Sequence, residues 1–175
     1  PRSNMTTEGP LQLVWAGTRG GLSYLDFLAA ELGELKRQGV AELTVISSEP
    51  WNGPSRFIKW EQQDEELRLS QFDVGLMPLP DTQYARAKAG YKLLQYMATG
   101  MPVIASPVGV NSSLIAQSKS GFLCSSSAEW ATAIRSIHSD RDSARMMGQK
   151  GLDFVTDYAD TTRLEERIRQ AVQFH

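Results

Sequence analysis

The sequence predicts an α/β fold, a Rossmann-like doubly wound parallel sheet with helices on both faces. Three observations carry this. Short apolar runs such as LQLVWA (11–16), LTVI (43–46) and PVIA (102–105) lack strict polar alternation, as strands buried on both faces do. Segments of helical periodicity separate these runs, the pattern of parallel strands joined by crossovers. With 175 residues, 41% hydrophobic and 22% charged, the chain has the size and composition of one domain with an ordinary core.

The elements follow in order. Residues 1–10, PRSNMTTEGP, are polar and do not begin with Met, so they read as a linker or as the edge of an excised domain. The main domain is expected over 11–159. Its first strand, 11–16, ends in Gly17-Thr18-Arg19-Gly20-Gly21. A helix follows with Leu22, Leu25, Leu28, Leu32 and Leu35 on one face and Gly39 at its C-terminal cap. Leu43–Ile46 is a second strand. The loop SSEPWNGPS leads to a third, Arg56–Lys59. A helix over Asp64–Ser70 precedes a fourth strand, Asp73–Met77. A helix begins near Gly90, turns at Thr99-Gly100 and enters the strand Pro102–Ala105. Gly121–Leu123 is a further short strand. Ser126-x-x-Glu129 is a capping-box pattern, opening a helix with Trp130, Ala133, Ile134 and Ile137 inward. The next helix runs from about Asp140 to Tyr158, with Met146, Met147 and Leu152 as expected core. Residues 160–175 form a C-terminal helix, opened by Thr162-x-x-Glu165, with Leu164, Ile168 and Val172 inward.

Charge narrows the function. From Thr82 to Ala128 there is no Asp or Glu, but there are four basic residues, Arg86, Lys88, Lys92 and Lys119; the rest of the chain holds 14 basic and 20 acidic residues. Three of these cations crowd a helix N-terminus that is already positive, where an acid would be the stabilising choice. Such an island suggests an anion, and a phosphate is the simplest one; a solvated basic loop is the other reading. The net charge of −2 excludes a general nucleic-acid binder. A single cysteine, Cys124, forbids an internal disulfide and suggests a reducing, cytoplasmic setting. One Cys and two distant His, His138 and His175, make a zinc site improbable. No apolar run approaches the roughly 18 residues of a membrane span, and no signal-peptide core is present.

Ligands in a doubly wound sheet bind at the carboxyl ends of the strands, near the point where strand order reverses. The Gly17–Gly21 turn qualifies, because glycines let a backbone approach a phosphate closely. It matches neither dinucleotide nor P-loop patterns, so an ordinary turn is an equal reading. The Arg86–Lys92 island is the second candidate wall of such a crevice.

KAGYKLLQYMATGMPVIASPVGVN resembles the signature region of the GT-B glycosyltransferases, specifically the group 1 family. Gly90, Ala98, Gly100, Pro102, Val103, Ile104, Ala105, Ser106 and Gly109 match the family's G-x-x-x-x-E-A-x-A-x-G-x-P-V-I-A-S/T-x-x-G. FDVGLMPLP upstream and SGFLCSSSAEWATAI downstream resemble the family's flanking segments, so the similarity spans Leu11 to Ala159. These enzymes have two Rossmann-like domains, and the C-terminal one holds the nucleotide sugar. This chain is similar to that half. The resemblance implies transfer of a sugar from a nucleotide-diphosphate donor to an acceptor held by an N-terminal domain, without cofactor or metal and with no catalytic residue assignable here. This fragment alone is then expected to be inactive. It implies a cytoplasmic protein, free or peripheral to the inner face of the membrane. The donor contacts it implies are Gly17, Arg19, Lys59, Trp60, Lys88, Gly90, Tyr91, Lys92, Leu93 and Gln95. Lys59 and Trp60 end the strand where the family holds the base through backbone groups.

The sequence departs from the family at the paired glutamates, E-x7-E, which are Ala87 and Gln95 here. Gln95 keeps the ribose-binding length without the charge. Lys88, beside Ala87, is placed to contact the donor in its stead, and K-x-G-Y-K-L-L-Q is close to the form of one subgroup. Arg19 is the only cation of the first βα loop, where the family has an Arg and a Lys. Loss of both glutamates keeps a non-catalytic nucleotide-binding module open, and a sugar-nucleotide epimerase domain is a second alternative, because GT-B epimerases share this domain. A receiver-type signalling domain would need an acidic cluster after the first strand, and none is there.

Overall fold

The computed structural model describes residues 5, 8–61, 69–88 and 90–159. Among these, six strands form one parallel sheet: β1 (Leu11–Ala16), β2 (Ala41–Ser47), β3 (Ser55–Lys59), β4 (Val74–Met77), β5 (Val103–Ala105) and β6 (Gly121–Leu123). Their order is β3-β2-β1-β4-β5-β6, the doubly wound order that reverses between β1 and β4. The register pairs Leu11 with Ala41 and Leu13 with Val74.

Successive side chains of β1 enter two cores. Leu11, Leu13 and Trp15 join one with Leu43, Val45 and Trp130. Val14 and Ala16 join the other with Ile46, Leu93, Tyr96 and Met97. Both faces of the strand are dry, which is why it reads as an unbroken apolar run. β3 is one edge strand and β6 the other, and Phe57 on β3 is exposed.

Among the described residues six α-helices accompany the sheet: α1 (Ala29–Arg37), α2 (Gln83–Arg86), α3 (Tyr91–Ala98), α4 (Asn111–Ser118), α5 (Ser127–Ser139) and α6 (Arg141–Ala159). The predicted helix after β1 begins instead as a 3₁₀ segment, Arg19–Leu28, and becomes α-helical only at Ala29. Gly20 and Gly21 open it, and glycine costs about 1 kcal/mol per residue in an α-helix. The leucine face forms as expected, with Leu25, Leu28, Leu32 and Leu35 buried. α2 and α4 have no counterpart in the sequence reading. The expected helices at 64–70 and 160–175 lie outside the described residues, apart from Leu69 and Ser70 of the first.

α5 opens with both halves of the capping box, Ser126 Oγ accepting from the Glu129 N–H and the Glu129 carboxylate accepting from the Ser126 N–H. A further bond of 2.6 Å from the Ser125 N–H holds the Glu129 carboxyl below the usual range. α6 corrects an expectation. Met146 is 59% exposed, and Met147 and Leu152 are only half-buried. The buried positions are Ala144, Gly148 and Gly151. A side chain at Gly148 would fall within the radius of the Gly100 carbonyl oxygen, so the helix lies too close for anything larger. Among the described residues no helix is long and apolar enough to cross a membrane.

Candidate nucleotide-binding crevice

A crevice opens where the strand order reverses, between the loop after β1 and the loop joining β4 to α3. Gly90 makes the turn into α3 at φ +69°. That left-handed conformation suits glycine, and a Cβ there would also stand 2.7 Å from Leu114 Cδ1. The first amides of α3 have no acceptor within their own helix, so its positive end faces the crevice.

Two buried bonds fix this geometry. The Ala16 N–H donates to Tyr96 Oη at 2.8 Å, tying the end of β1 to the middle of α3. Tyr96 fits because Gly75 lies beneath it, where a Cβ would come within 2.5 Å of the ring. The Leu79 N–H donates to Ser106 Oγ at 3.0 Å, anchoring the chain after β4. Gly109 packs on the Arg86 backbone, with a Cβ there only 2.7 Å from Arg86 O. Ser106 and Gly109 of the signature therefore buttress a wall.

The crevice contains a cavity of about 290 Å³ lined by Gly17, Thr18, Gly21, Tyr24, Lys88, Gly90, Tyr91 and Lys92, among others. A neighbouring cavity of about 340 Å³ is lined by Gly17, Thr18, Ser48, Trp60, Tyr91 and Lys92. Among the described residues, no Asp or Glu lines either one. Beyond Tyr24 lies a larger cavity of about 620 Å³, which Asp26 and Asp81 do line.

Six of the ten residues singled out by sequence thus share one crevice: Gly17, Trp60, Lys88, Gly90, Tyr91 and Lys92. Tyr91 is 67% exposed, so it does not pack beneath the helix start. Trp60 is 43% exposed and is not core. Gln95 stands one turn further along α3, its Nε2 donating to Tyr91 Oη at 3.3 Å. Its Oε1 is buried without a hydrogen-bond partner. Three residues are placed elsewhere. The Leu93 side chain is fully buried in the core, which leaves only its backbone to meet a ligand. Arg19 reaches away to Glu49, at 3.2 Å between exposed groups. Lys59 is exposed at the end of β3 and lines neither cavity.

The basic island is smaller in space than in sequence. Arg86 forms a two-pronged pair with Asp81, Nε to Oδ1 at 2.6 Å and Nη2 to Oδ2 at 2.8 Å. These bonds hold the Asp81 carboxyl below its usual range and the Arg86 guanidinium above its own. Lys119 is exposed at the far end of α4. Among the described residues, Lys88 and Lys92 are the cations that line the crevice. Cys124 is buried, and burial, with a smaller push from Glu129, raises its thiol to about 11. It stays protonated and inert.

The sequence reading missed Tyr24, Tyr84 and Tyr96. The Lys88 ammonium sits 5.0 Å from the Tyr24 ring centroid and 5.3 Å from that of Tyr84. Tyr96 carried a signal only in combination: a long polar-tipped aromatic about one and a half turns into a helix, opposite a strand glycine.

Solved structures share this fold. The C-terminal domain of the group 1 family glycosyl transferase LpcC from Francisella tularensis aligns with a TM-score of 0.63 at 19% identity, over 83% of each chain. Anabaena HepE, solved with UDP and glucose, aligns with a TM-score of 0.72 at 13% identity, over 94% of this chain and 48% of its own. Sucrose-phosphate synthase from Thermosynechococcus elongatus gives 0.66 at 20%, over 98% of this chain and 48% of its own. The chain thus spans about half the length of the latter two, as one Rossmann-like half of a GT-B fold. No curated protein sequence matches it. The family described as Glycosyl transferases group 1 matches residues 12–140. With that match over most of its length, the chain belongs to the group 1 glycosyltransferases.

Proposed function

We propose that this chain is the donor-binding half of a glycosyltransferase, holding a nucleotide-diphosphate sugar whose sugar passes to an acceptor on an N-terminal domain. One observation carries the reading. At the reversal point of the sheet, two adjoining cavities, which no carboxylate lines among the described residues, are faced by Lys88, Lys92 and the positive end of α3. An anion with a flat apolar portion suits them. The diphosphate would lie between Gly17–Gly21 and the first turn of α3. The base would lie toward Trp60 and Tyr91, and the ribose toward Gln95. HepE has been solved with UDP and with UDP-glucose, which supports a nucleoside diphosphate as the ligand class.

The chemistry asked of this half is positioning and stabilisation of charge on the departing diphosphate. The bond between the anomeric carbon and the terminal phosphate oxygen breaks, and the leaving oxygen gains negative charge. Lys88, Lys92 and the α3 amides supply positive potential there. The acceptor and any base belong to the other domain, so this chain alone is expected to bind donor without turning it over.

Titration with UDP, GDP and ADP, followed by calorimetry and amide shift mapping, tests the reading. At least one is expected to bind at millimolar concentration or below and to perturb Gly17–Gly21 and Lys88–Gln95; silence from all three sinks it. Lys92→Ala is expected to weaken that binding by about 1.5–3 kcal/mol, the worth of a charge-assisted contact. Lys119→Ala should leave it nearly unchanged, because Lys119 ends α4 just before β6, at the amino ends of the parallel strands and away from the crevice at their carboxyl ends. Equal losses would reveal only a diffuse attraction.

Gln95 gives a finer check. Gln95→Ala is expected to weaken the nucleoside diphosphate by about 0.5–1.5 kcal/mol and to spare inorganic pyrophosphate, which has no ribose. Gln95→Glu, which restores the family residue, should be tolerated. If pyrophosphate suffers as much as the nucleotide, Gln95 serves the fold or the phosphate site instead.

A further inference from the structure

Lys88 is anchored unusually for a lysine beside an acidic residue on its own loop. It lies between two tyrosine rings, Tyr24 from the 3₁₀ segment and Tyr84 from α2. Among the described residues no carboxylate pairs with it. The two carboxylates that line the adjoining large cavity are engaged elsewhere, Asp81 with Arg86 and Asp26 with the Trp51 indole N–H at 2.8 Å.

The distinction has a physical consequence. A carboxylate would fix an ammonium in place and cancel its field. An aromatic face attracts the cation through its quadrupole and brings no net charge. Two faces restrain a flexible four-carbon stem while leaving the full charge available to a third party. The arrangement also spans the crevice, since Lys88 belongs to the loop after β4 and Tyr24 to the segment after β1. Tyr24 lines both the crevice and the larger cavity, so the pair stands on the wall between them. Tyr84 is 73% exposed and has no part in the core. Its backbone is nonetheless held, because Thr82 Oγ1 caps α2 by accepting from the Ala85 N–H at 3.2 Å. The first βα loop offers no equivalent charge, since Arg19 is turned to Glu49.

We propose that Tyr24 and Tyr84 are positioning residues that hold Lys88 as an unneutralised cation against the terminal phosphate of the bound nucleoside diphosphate. This rests on the donor reading above. Tyr24 and Tyr84 act through Lys88 and touch no reacting atom.

The test uses the full 175-residue chain and calorimetric titration with UDP, GDP and ADP, each beside its monophosphate. Tyr84→Leu and Tyr24→Leu are each expected to weaken the diphosphate about two- to five-fold, the worth of one exposed cation–π contact, and to leave the monophosphate alone. Phenylalanine at either position keeps the ring face and the affinity. In a Lys88→Met background the leucine variants should add nothing, as residues acting through one partner must. Tyr84 is exposed enough that its replacement leaves folding intact, so a Tyr24 variant that fails to fold does not end the test. Diphosphate binding unchanged by the leucine variants, or their effect persisting without Lys88, overturns the proposal while the donor reading stands. If the unaltered chain binds none of the three diphosphates, the donor reading fails and the proposal fails with it.

Discussion

Trp130→Ala is expected to cost about 3–5 kcal/mol of stability and to lower the urea midpoint by about 2 M. The indole is fully buried. It lies in the core beneath α1 and α5, and its edge meets the Phe27 ring with centroids 6.3 Å apart and planes at 82°. Its Nε1 donates to the Cys124 carbonyl at 3.1 Å, which ties α5 to the end of β6. Alanine would leave a cavity and a buried carbonyl short of its donor. Against a total stability of roughly 5–15 kcal/mol, that is a large share. Phe27→Ala is the comparison: Phe27 is 45% exposed, so its loss should be far smaller. Equal losses would mean that the ring pair, and not burial, carries the effect.

Gly148→Ala has the second largest expected effect, and its sign is the informative part. Helix propensity alone favours alanine over glycine by about 1 kcal/mol. The packing opposes it, since the new Cβ would overlap the Gly100 carbonyl oxygen and stand 3.2 Å from Pro102 Cδ. Gly100 is backbone in a left-handed turn at φ +77° and cannot rotate aside as a side chain can. The overlap is expected to win and destabilise the domain by about 3 kcal/mol, the upper end for overpacking, by lifting α6 off α3. Gly33 in α1 supplies the contrast. Its nearest neighbour would be 3.8 Å away, so Gly33→Ala should stabilise by up to about 1 kcal/mol. Thermal unfolding of the two variants side by side decides the matter; a stabilised Gly148→Ala would show that the helix–turn contact is loose.

The same glycine shows where sequence reasoning lost its footing. Hydropathy ranks Met146 and Met147 above Gly148 as core, and the ranking is sound for side chains that must fill space. On α6 the space is absent. The helix rides on the Thr99-Gly100 turn, and the residues that let it do so have almost nothing to bury. The strands were legible because burial on both faces leaves a continuous apolar run. α3 was legible because Gly90 and the apolar stripe of Leu93 and Met97 agree on where it starts. α4 was not, since half of its buried residues are polar: Asn111 and Ser118 lie inward beside Leu114 and Ile115.

The candidate site was legible in part for a similar reason. Gly17, Lys88, Gly90 and Lys92 come from two loops that any doubly wound sheet brings to one crevice, so topology alone assembles them. The fate of a charge depends on its neighbours in space. Arg86 and Lys88 look alike along the chain, yet Asp81 takes the first and two tyrosines take the second. Arg19 met Glu49, thirty residues on and invisible to any local pattern.

The bond from the Ala16 amide to the Tyr96 hydroxyl has a further consequence. It crosses the strand reversal beneath the crevice and joins the two elements that form its opposite walls. Widening the slot would strip a buried amide of its acceptor at about 1–3 kcal/mol, so at rest the gap has one width. A ligand arriving there does not first have to organise the backbone around itself, and affinity is not diminished by that ordering. Whatever adjusts on arrival is confined to side chains at the rim, Tyr91 and Lys88 among them. The backbone around the crevice then behaves as one rigid unit.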